Sequence, residues 1–209
     1  MKTTTYKYYD IILALFVSVL LISNISAVKL VDIGPFIADG GAVLFPLAYI
    51  FGDILTEVYG FNAARRAIWA GFAVQLLAVT TFWIVGELPP SVVFENQEAF
   101  MSILGFLPRI VLASLAAYLF GEFVNAKLVI KIRNYTGEKR MYVRFIGSTV
   151  VGQFIDTIIF GLIAFGGILT GSEMIEFVLF GWIFKTLVEV LLLPVTYRVV
   201  SFLKTREAI

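Results

Sequence analysis

The chain has 209 residues, of which 60% are hydrophobic and 15% are charged, and its mean hydropathy is +0.94. A soluble domain carries about 25% charged residues, so this composition excludes a water-soluble protein and favours a membrane protein. The chain contains neither cysteine nor histidine, which excludes disulfides, thiolate nucleophiles and the commonest metal ligands. A net charge of +1 provides no attraction for nucleic acid, and no cofactor or metal is predicted.

Apolar stretches of spanning length recur along the chain. A helix needs about 20 apolar residues to cross a bilayer, and six stretches approach or reach this length. They are Ile11–Val28, Ala42–Tyr59, Ala67–Val85, Ile103–Val124, Phe145–Leu169 and Phe177–Val200. We therefore predict an all-α integral membrane protein in which residues 1–209 form a single domain of six transmembrane helices.

The basic residues outside these stretches predict the orientation. Thirteen basic residues lie in alternate segments, namely the two termini and the second–third and fourth–fifth loops, when Arg198 at the end of the sixth stretch is counted with the C-terminal tail. The three remaining loops carry only Lys29, together with several acidic residues. Because basic segments stay on the cytoplasmic side, both termini are predicted to be cytoplasmic.

A short internal match indicates a possible repeat. Ala48–Asp53 in the second stretch matches Ala117–Glu122 in the fourth, and both stretches would run in the same direction. Transporters are often built from such repeats, although six residues of apolar sequence can also match by chance. The prediction is a possible parallel internal repeat.

Charged residues remain inside the predicted spans after the loops are set aside. Each costs about 2.5–3.5 kcal/mol at the middle of a spanning helix, so such residues face the bundle interior or a wet cavity. The seven are Asp53, Glu57, Arg109, Glu122, Asp156, Lys185 and Glu189.

Acidic and amide side chains are the candidate binding groups. Asp53 and Glu57 share a helical face, as do Gln153 and Asp156 near the middle of the fifth stretch. The alternatives are that Glu57 meets water and that the amides only join helices. The predicted substrate-binding residues are Asp53, Glu57, Gln153, Asp156, Asn24, Asn125 and Glu122.

Three further charges are predicted to shape the pathway or to form gating pairs. Lys185 and Glu189 are four residues apart and could pair within one helix. Arg109 could extend to the outer surface or hold a buried acid such as Asp156. A cavity lined by carboxylates and amides suits a ligand rich in N–H donors, a cation or a proton.

Several sequence blocks resemble one known family. The segment Phe45–Gly60, followed by Ala64–Trp69, is similar to the signature of the queuosine precursor transporter family, formerly called the vitamin uptake transporter family. Three later blocks resemble it as well, and they are Arg109–Ser114, Gly121–Asn125 and Ser148–Thr157.

The resemblance implies an importer in the inner membrane of a bacterium or archaeon. Its substrates would be 7-cyano-7-deazaguanine, 7-aminomethyl-7-deazaguanine or both, which are precursors of queuosine. A carboxylate is the natural acceptor for the N–H groups of a guanine-like edge. Such a small bundle is also expected to form a homodimer in the lipid bilayer.

Three alternatives belong to other functional classes. A substrate-binding subunit of an energy-coupling-factor vitamin importer also has six spans, but it needs partner proteins for transport. An intramembrane enzyme without histidine or cysteine would need a pair of acids, so no enzymatic activity is predicted. A purely structural protein is disfavoured by the cost of so many charges within the membrane.

Overall fold

A computed structural model describes residues 6–136 and 141–207, and most of them are helical. A two-stranded hairpin and a short 3-10 helix separate the first two α-helices. In chain order the elements are α1 (Tyr9–Ser26), β1 (Leu30–Ile33), β2 (Phe36–Asp39), the 3-10 helix (Gly40–Leu44), α2 (Phe45–Tyr59), α3 (Phe61–Glu87), α4 (Gln97–Leu104), α5 (Leu107–Thr136), α6 (Met141–Phe165) and α7 (Gly171–Glu207).

Five helical segments of the described chain are long and apolar enough to cross a membrane. They are Tyr9–Ser26, Gly40–Tyr59, Phe61–Glu87, Gln97–Gly121 and Gly171–Glu207. A shorter apolar helix, Thr149–Phe165, lies within the fifth predicted stretch. The predominantly helical membrane architecture agrees with the sequence, while the count of six spans stays a prediction.

The hairpin between α1 and α2 was not predicted. Its strands pair antiparallel with Ile33 opposite Phe36, which leaves a two-residue turn at Gly34 and Pro35. Gly34 has a φ of 62°, a conformation that glycine adopts without a steric penalty. The sequence correctly placed this segment between two apolar stretches, but four-residue strands were too short to detect by alternation.

Local sequence explains where the helices begin. Pro46 lies in the first turn of α2, and Pro108 is the second residue of α5. Proline suits this position because the first backbone N–H groups of a helix have no partner within it. Gly60, with a φ of 82°, separates α2 from α3. The predicted fourth span began at Ile103, whereas the structure ends α4 at Leu104 and starts α5 at Leu107.

Two apolar clusters occupy opposite ends of the bundle. The first joins the start of α1, the end of α2, the start of α3 and the end of α7, with Phe16, Leu55 and Leu203 among its members. The second joins the end of α1, the start of α5, the end of α6 and the start of α7, and it includes Ile110 and Phe165. Burial of these side chains stabilises the two ends and leaves the middle of α2, α6 and α7 for polar residues.

The first and last described residues meet at one end of the bundle. The Glu207 carboxylate accepts hydrogen bonds from the backbone N–H groups of Lys7 (2.7 Å) and Tyr8 (2.8 Å). It also accepts a hydrogen bond of 2.9 Å from the Tyr59 hydroxyl. An acid at this position satisfies N–H groups at the start of α1 and ties α1, α2 and α7 together.

The two copies of the possible repeat lie in different surroundings. Gly52 in α2 faces open space, whereas a Cβ at Gly121 in α5 would lie 3.1 Å from the Asp156 Cβ. The parallel internal repeat stays a prediction.

Because the chain has no cysteine, single cysteines test its orientation without interference. Val92→Cys lies in the exposed turn between α3 and α4, and Asn62→Cys lies just after the break at Gly60. We expect a membrane-impermeant thiol reagent to label Val92→Cys in intact cells and Asn62→Cys only after permeabilisation. The unmodified chain is the blank, and the reverse labelling pattern would contradict cytoplasmic termini.

Candidate functional site

A buried ion pair joins α6 to α7. The Lys185 Nζ donates a hydrogen bond of 2.8 Å to Asp156 Oδ2. Lys185 is only 8% exposed, and its ammonium lies 4.8 Å from the centroid of the Phe45 ring on α2. Inside a membrane, a lysine or an aspartate without an opposite charge nearby would be energetically costly. The ion pair lowers this cost for both residues.

Small residues bring the helices close enough for this contact. On the α5 side, a Cβ at Gly121 would lie 3.2 Å from the Gly152 carbonyl oxygen as well as close to Asp156. On the α7 side, a Cβ at Gly181 would lie 3.2 Å from Thr157 Cγ2. Stripes of small residues permit close packing of helices in membranes, and here they hold the middle of α6 between α5 and α7.

Further polar side chains continue from the ion pair along the α2, α6 and α7 interface. The Gln153 side chain lies near the Tyr49 hydroxyl and the Glu189 carboxylate and interacts with both. Tyr49 also interacts electrostatically with Asp156 and Glu189, and Glu189 interacts electrostatically with Asp53. We call this group the polar layer, and its members are Tyr49, Asp53, Gln153, Asp156, Lys185 and Glu189.

The polar layer contains more acidic than basic groups. Lys185 is its only cation, against the carboxylates of Asp53, Asp156 and Glu189. Glu189 Oε2 is buried and has no hydrogen-bond partner among the described residues. A surplus of buried acceptors of this kind attracts N–H donors, a cation or a proton.

Asp53 and Glu57 lie close enough to interact electrostatically but differ in burial. Asp53 is half-buried in the polar layer, whereas the Glu57 side chain is 63% exposed and lies 3.7 Å from the Lys204 ammonium. This exposure agrees with the alternative that Glu57 meets water, and the assignment of Glu57 to the site stays a prediction. An ion pair this exposed contributes little to stability.

Two other predicted residues, Asn24 and Arg109, form their hydrogen bonds outside the polar layer. The Asn24 amide donates a hydrogen bond to the Gln75 side chain, which joins α1 to α3 through buried groups. Arg109 donates to the carbonyl oxygens of Ile163 (2.7 Å) and Gly166 at the end of α6. Arg109 therefore stabilises the carbonyl end of a helix and does not bind Asp156.

Lys185 and Glu189 do not pair with each other, although their spacing allowed it. Lys185 reaches across to Asp156, and Glu189 interacts with Gln153. Glu122 and Asn125 follow Gly121 on α5, but their side chains lie outside the described part of the structure. Their assignment to the site stays a prediction.

One acid near the site was missed by the sequence reading. Asp39 is one of the acidic residues in the predicted loops between the apolar stretches, yet it is only 5% exposed at the end of β2. Burial raises the pKa of Asp39 above its ordinary value, while the Lys185 ammonium and the backbone N–H of Gly41 oppose this rise. An aspartate directly before two glycines gives little indication that its side chain is buried. Asp39 is buried only because the hairpin packs against α7.

Removal of one partner of the ion pair should destabilise the protein more than removal of both. We expect Lys185→Met to leave Asp156 unpaired and to cost up to about 3–5 kcal/mol, with the 26% exposure of the Asp156 side chain reducing the loss. The double variant Lys185→Met with Asp156→Asn should recover part of it. Thermal unfolding in detergent measures the stability of each variant. If the stability losses of the two single variants simply add in the double variant, a direct pair of Lys185 and Asp156 is contradicted.

Comparison with known proteins agrees with a transport function. The family model described as "Putative vitamin uptake transporter" matches residues 39–199. A Bacillus subtilis (strain 168) protein named "Probable queuosine precursor transporter" is 31% identical over 188 residues, which is 88% of this chain and 81% of that protein. The Escherichia coli (strain K12) "Queuosine precursor transporter" is 27% identical over 162 residues, 76% of this chain and 71% of that protein.

No solved structure matches the chain. The family match nevertheless covers more than half of the sequence, including the whole polar layer. With its several apolar helices, the chain is a multi-pass membrane protein that belongs to the vitamin uptake transporter family.

Proposed function

We propose that this protein imports queuosine precursors across the inner membrane of a prokaryote, with 7-cyano-7-deazaguanine and 7-aminomethyl-7-deazaguanine as substrates. The names of the Bacillus subtilis and Escherichia coli relatives support this proposal. The observation that carries it is the polar layer, where three carboxylates and an amide face a single lysine at the α2, α6 and α7 interface. Such a layer costs too much to be retained for packing alone.

The chemistry of the polar layer fits a guanine-like edge. Such an edge presents a ring N–H and an exocyclic amine side by side, and a carboxylate can accept from both. Glu189 Oε2 is a buried acceptor without a partner among the described residues, and Asp156 offers a second carboxylate nearby. The Gln153 amide can both donate and accept, so it suits the carbonyl or the 7-substituent.

Other predicted residues take a peripheral place in this proposal. Asp53 adds a carboxyl group at the end of the polar layer that lies near Glu57. Glu122 and Asn125 remain proposed binding residues on α5. Asn24 and Glu57 are proposed to act on helix contacts and on the solvent-facing end, respectively, because their observed partners lie outside the polar layer.

Uptake by this chain alone distinguishes the proposal from its rival. An energy-coupling-factor subunit would bind substrate but would require a partner membrane protein and ATPases for transport. Proteoliposomes that contain only this protein should accumulate labelled 7-cyano-7-deazaguanine. Binding without uptake would instead support the subunit alternative.

Loss of the carboxylate at position 156 should impair transport. We expect Asp156→Asn to lower the initial rate of 7-cyano-7-deazaguanine uptake by at least about tenfold, since a charged acceptor becomes a neutral amide. Glu95→Gln, in the exposed turn before α4, is the matched control and should transport normally. Amounts of inserted protein are measured in parallel.

The double variant Lys185→Met with Asp156→Asn separates binding from folding. If Asp156 served only to neutralise Lys185, the double variant would regain uptake. If uptake stays impaired although stability improves, Asp156, Lys185 or both serve in substrate binding as well as in folding. Gln153→Ala, which leaves the ion pair intact, should also reduce uptake, and normal uptake by this variant would remove Gln153 from the site.

A further inference from the structure

Lys185 interacts with two acids that belong to different elements. Its ammonium donates a hydrogen bond of 2.8 Å to Asp156 on α6, and it interacts electrostatically with Asp39 at the end of β2. Asp39 and Lys185 are both buried, so little water screens the attraction between them. Two carboxyl groups thus share one buried ammonium group.

Asp39 contains an acceptor atom that the present arrangement does not use. Its Oδ1 atom is buried and has no hydrogen-bond partner among the described residues. The carboxylate also interacts with the backbone N–H groups of Gly41 and Ala42, as suits a residue directly before a 3-10 helix. Because a buried carboxylate oxygen without a donor is costly, a donor that reaches Oδ1 in another state of the protein would stabilise that state.

The space beside Asp39 and Lys185 matches the size of an ammonium group. Both residues line a cavity that has room for about one water molecule, and most of its remaining wall is phenylalanine. The Lys185 ammonium already lies 4.8 Å from the centroid of the Phe45 ring, where the face of the ring attracts a cation. Rotation of the flexible four-carbon stem of the lysine can therefore move the ammonium along this wall, with the hairpin and the helices in place.

Asp156 needs to give up its ion pair when it binds substrate. In the proposed function Asp156 accepts N–H groups of the base, whereas here its Oδ2 atom is bonded by Lys185. A buried ammonium that loses its only counter-ion is costly, so the lysine needs a second acid. Glu189 lies one turn further along α7 but interacts with Gln153 instead. Asp39, in contrast, already interacts with the lysine.

We propose that Asp39 is the alternate counter-ion of Lys185: when substrate engages Asp156, the ammonium leaves Asp156 Oδ2 and donates to Asp39 Oδ1. This counter-ion exchange rests on the proposed function and gives Asp39 a positioning role, in which it does not contact the base. The buried lysine keeps an acidic partner in both states, and Asp156 becomes free to accept from the substrate.

A mutant cycle on stability tests the shared lysine without any substrate. Asp39→Asn and Asp156→Asn each leave Lys185 with one acid, whereas the double variant leaves it with neither. We expect the melting temperature of the double variant to fall by about 5 °C or more beyond the sum of the two single losses. Thermal unfolding in detergent measures each variant.

The matched control is Asp32→Asn, which removes an exposed acid from the same hairpin. Its loss should simply add to that of Asp156→Asn. An asparagine at position 39 keeps an oxygen for the backbone N–H groups that follow it, so a purely local role of Asp39 also predicts additive losses. Additive losses for Asp39→Asn and Asp156→Asn would therefore overturn the proposal.

A triple variant covers the case in which the double variant does not fold. Lys185→Met, added to Asp39→Asn and Asp156→Asn, removes the ammonium that has lost both partners. We expect it to restore folding or most of the excess loss in melting temperature. If the triple variant is no more stable than the double variant, Asp39 does not serve Lys185 and the proposal is overturned.

Substrate binding tests the exchange itself. Calorimetry in detergent should show that Asp39→Asn binds 7-cyano-7-deazaguanine at least about fivefold more weakly, because the displaced ammonium has no second acid. Asp39→Glu, which keeps the charge, should bind more tightly than Asp39→Asn. In a Lys185→Met background, Asp39→Asn should change the affinity by no more than about twofold, since no ammonium is left to be exchanged.

The outcomes separate this inference from the proposed function. An equal loss of affinity from Asp39→Asn with and without Lys185, or no loss in either background, would overturn the exchange while substrate binding stands. Failure of the wild-type chain to bind 7-cyano-7-deazaguanine would instead remove the proposed function and the exchange with it.

Discussion

The contact on which the structure depends most is the ion pair of Lys185 and Asp156. A lysine and an aspartate within the membrane are tolerated because each compensates the other across the α6 and α7 interface. Their side chains meet at 2.8 Å across an interface where Gly181 of α7 packs against Thr157 of α6. Gly121 allows α5 to pack closely on the other side of α6, beside Asp156.

The two apolar clusters restrict polar chemistry to one level of the bundle. One cluster holds the end where α1 begins and α7 ends, and the other holds the end near the hairpin. Glu207 reinforces the first by binding the start of α1 and Tyr59, while Arg109 reinforces the second by binding carbonyl oxygens at the end of α6. Between these ends, the described interface of α2, α6 and α7 contains more acidic than basic groups and a buried acceptor without a hydrogen-bond partner, Glu189 Oε2.

The position of Asp39 connects this interface to the hairpin. The strand that carries Asp39 packs against α7, and its Phe36 continues the aromatic stack of Phe180 and Phe184. Lys185 therefore interacts with an acid of the hairpin, Asp39, and with an acid of α6, Asp156.

The sequence by itself determined the membrane class, the apolar segments and the charges that lie within them, because hydropathy and charge are properties of neighbouring residues along the chain. The family blocks from Phe45 onward likewise needed no structure. Only the tertiary structure decided the partners: Lys185 pairs with Asp156 and not with Glu189, Arg109 binds carbonyl groups, and Asp39 is buried. A partner depends on which helix faces are packed together, and residues that are far apart in sequence set that packing.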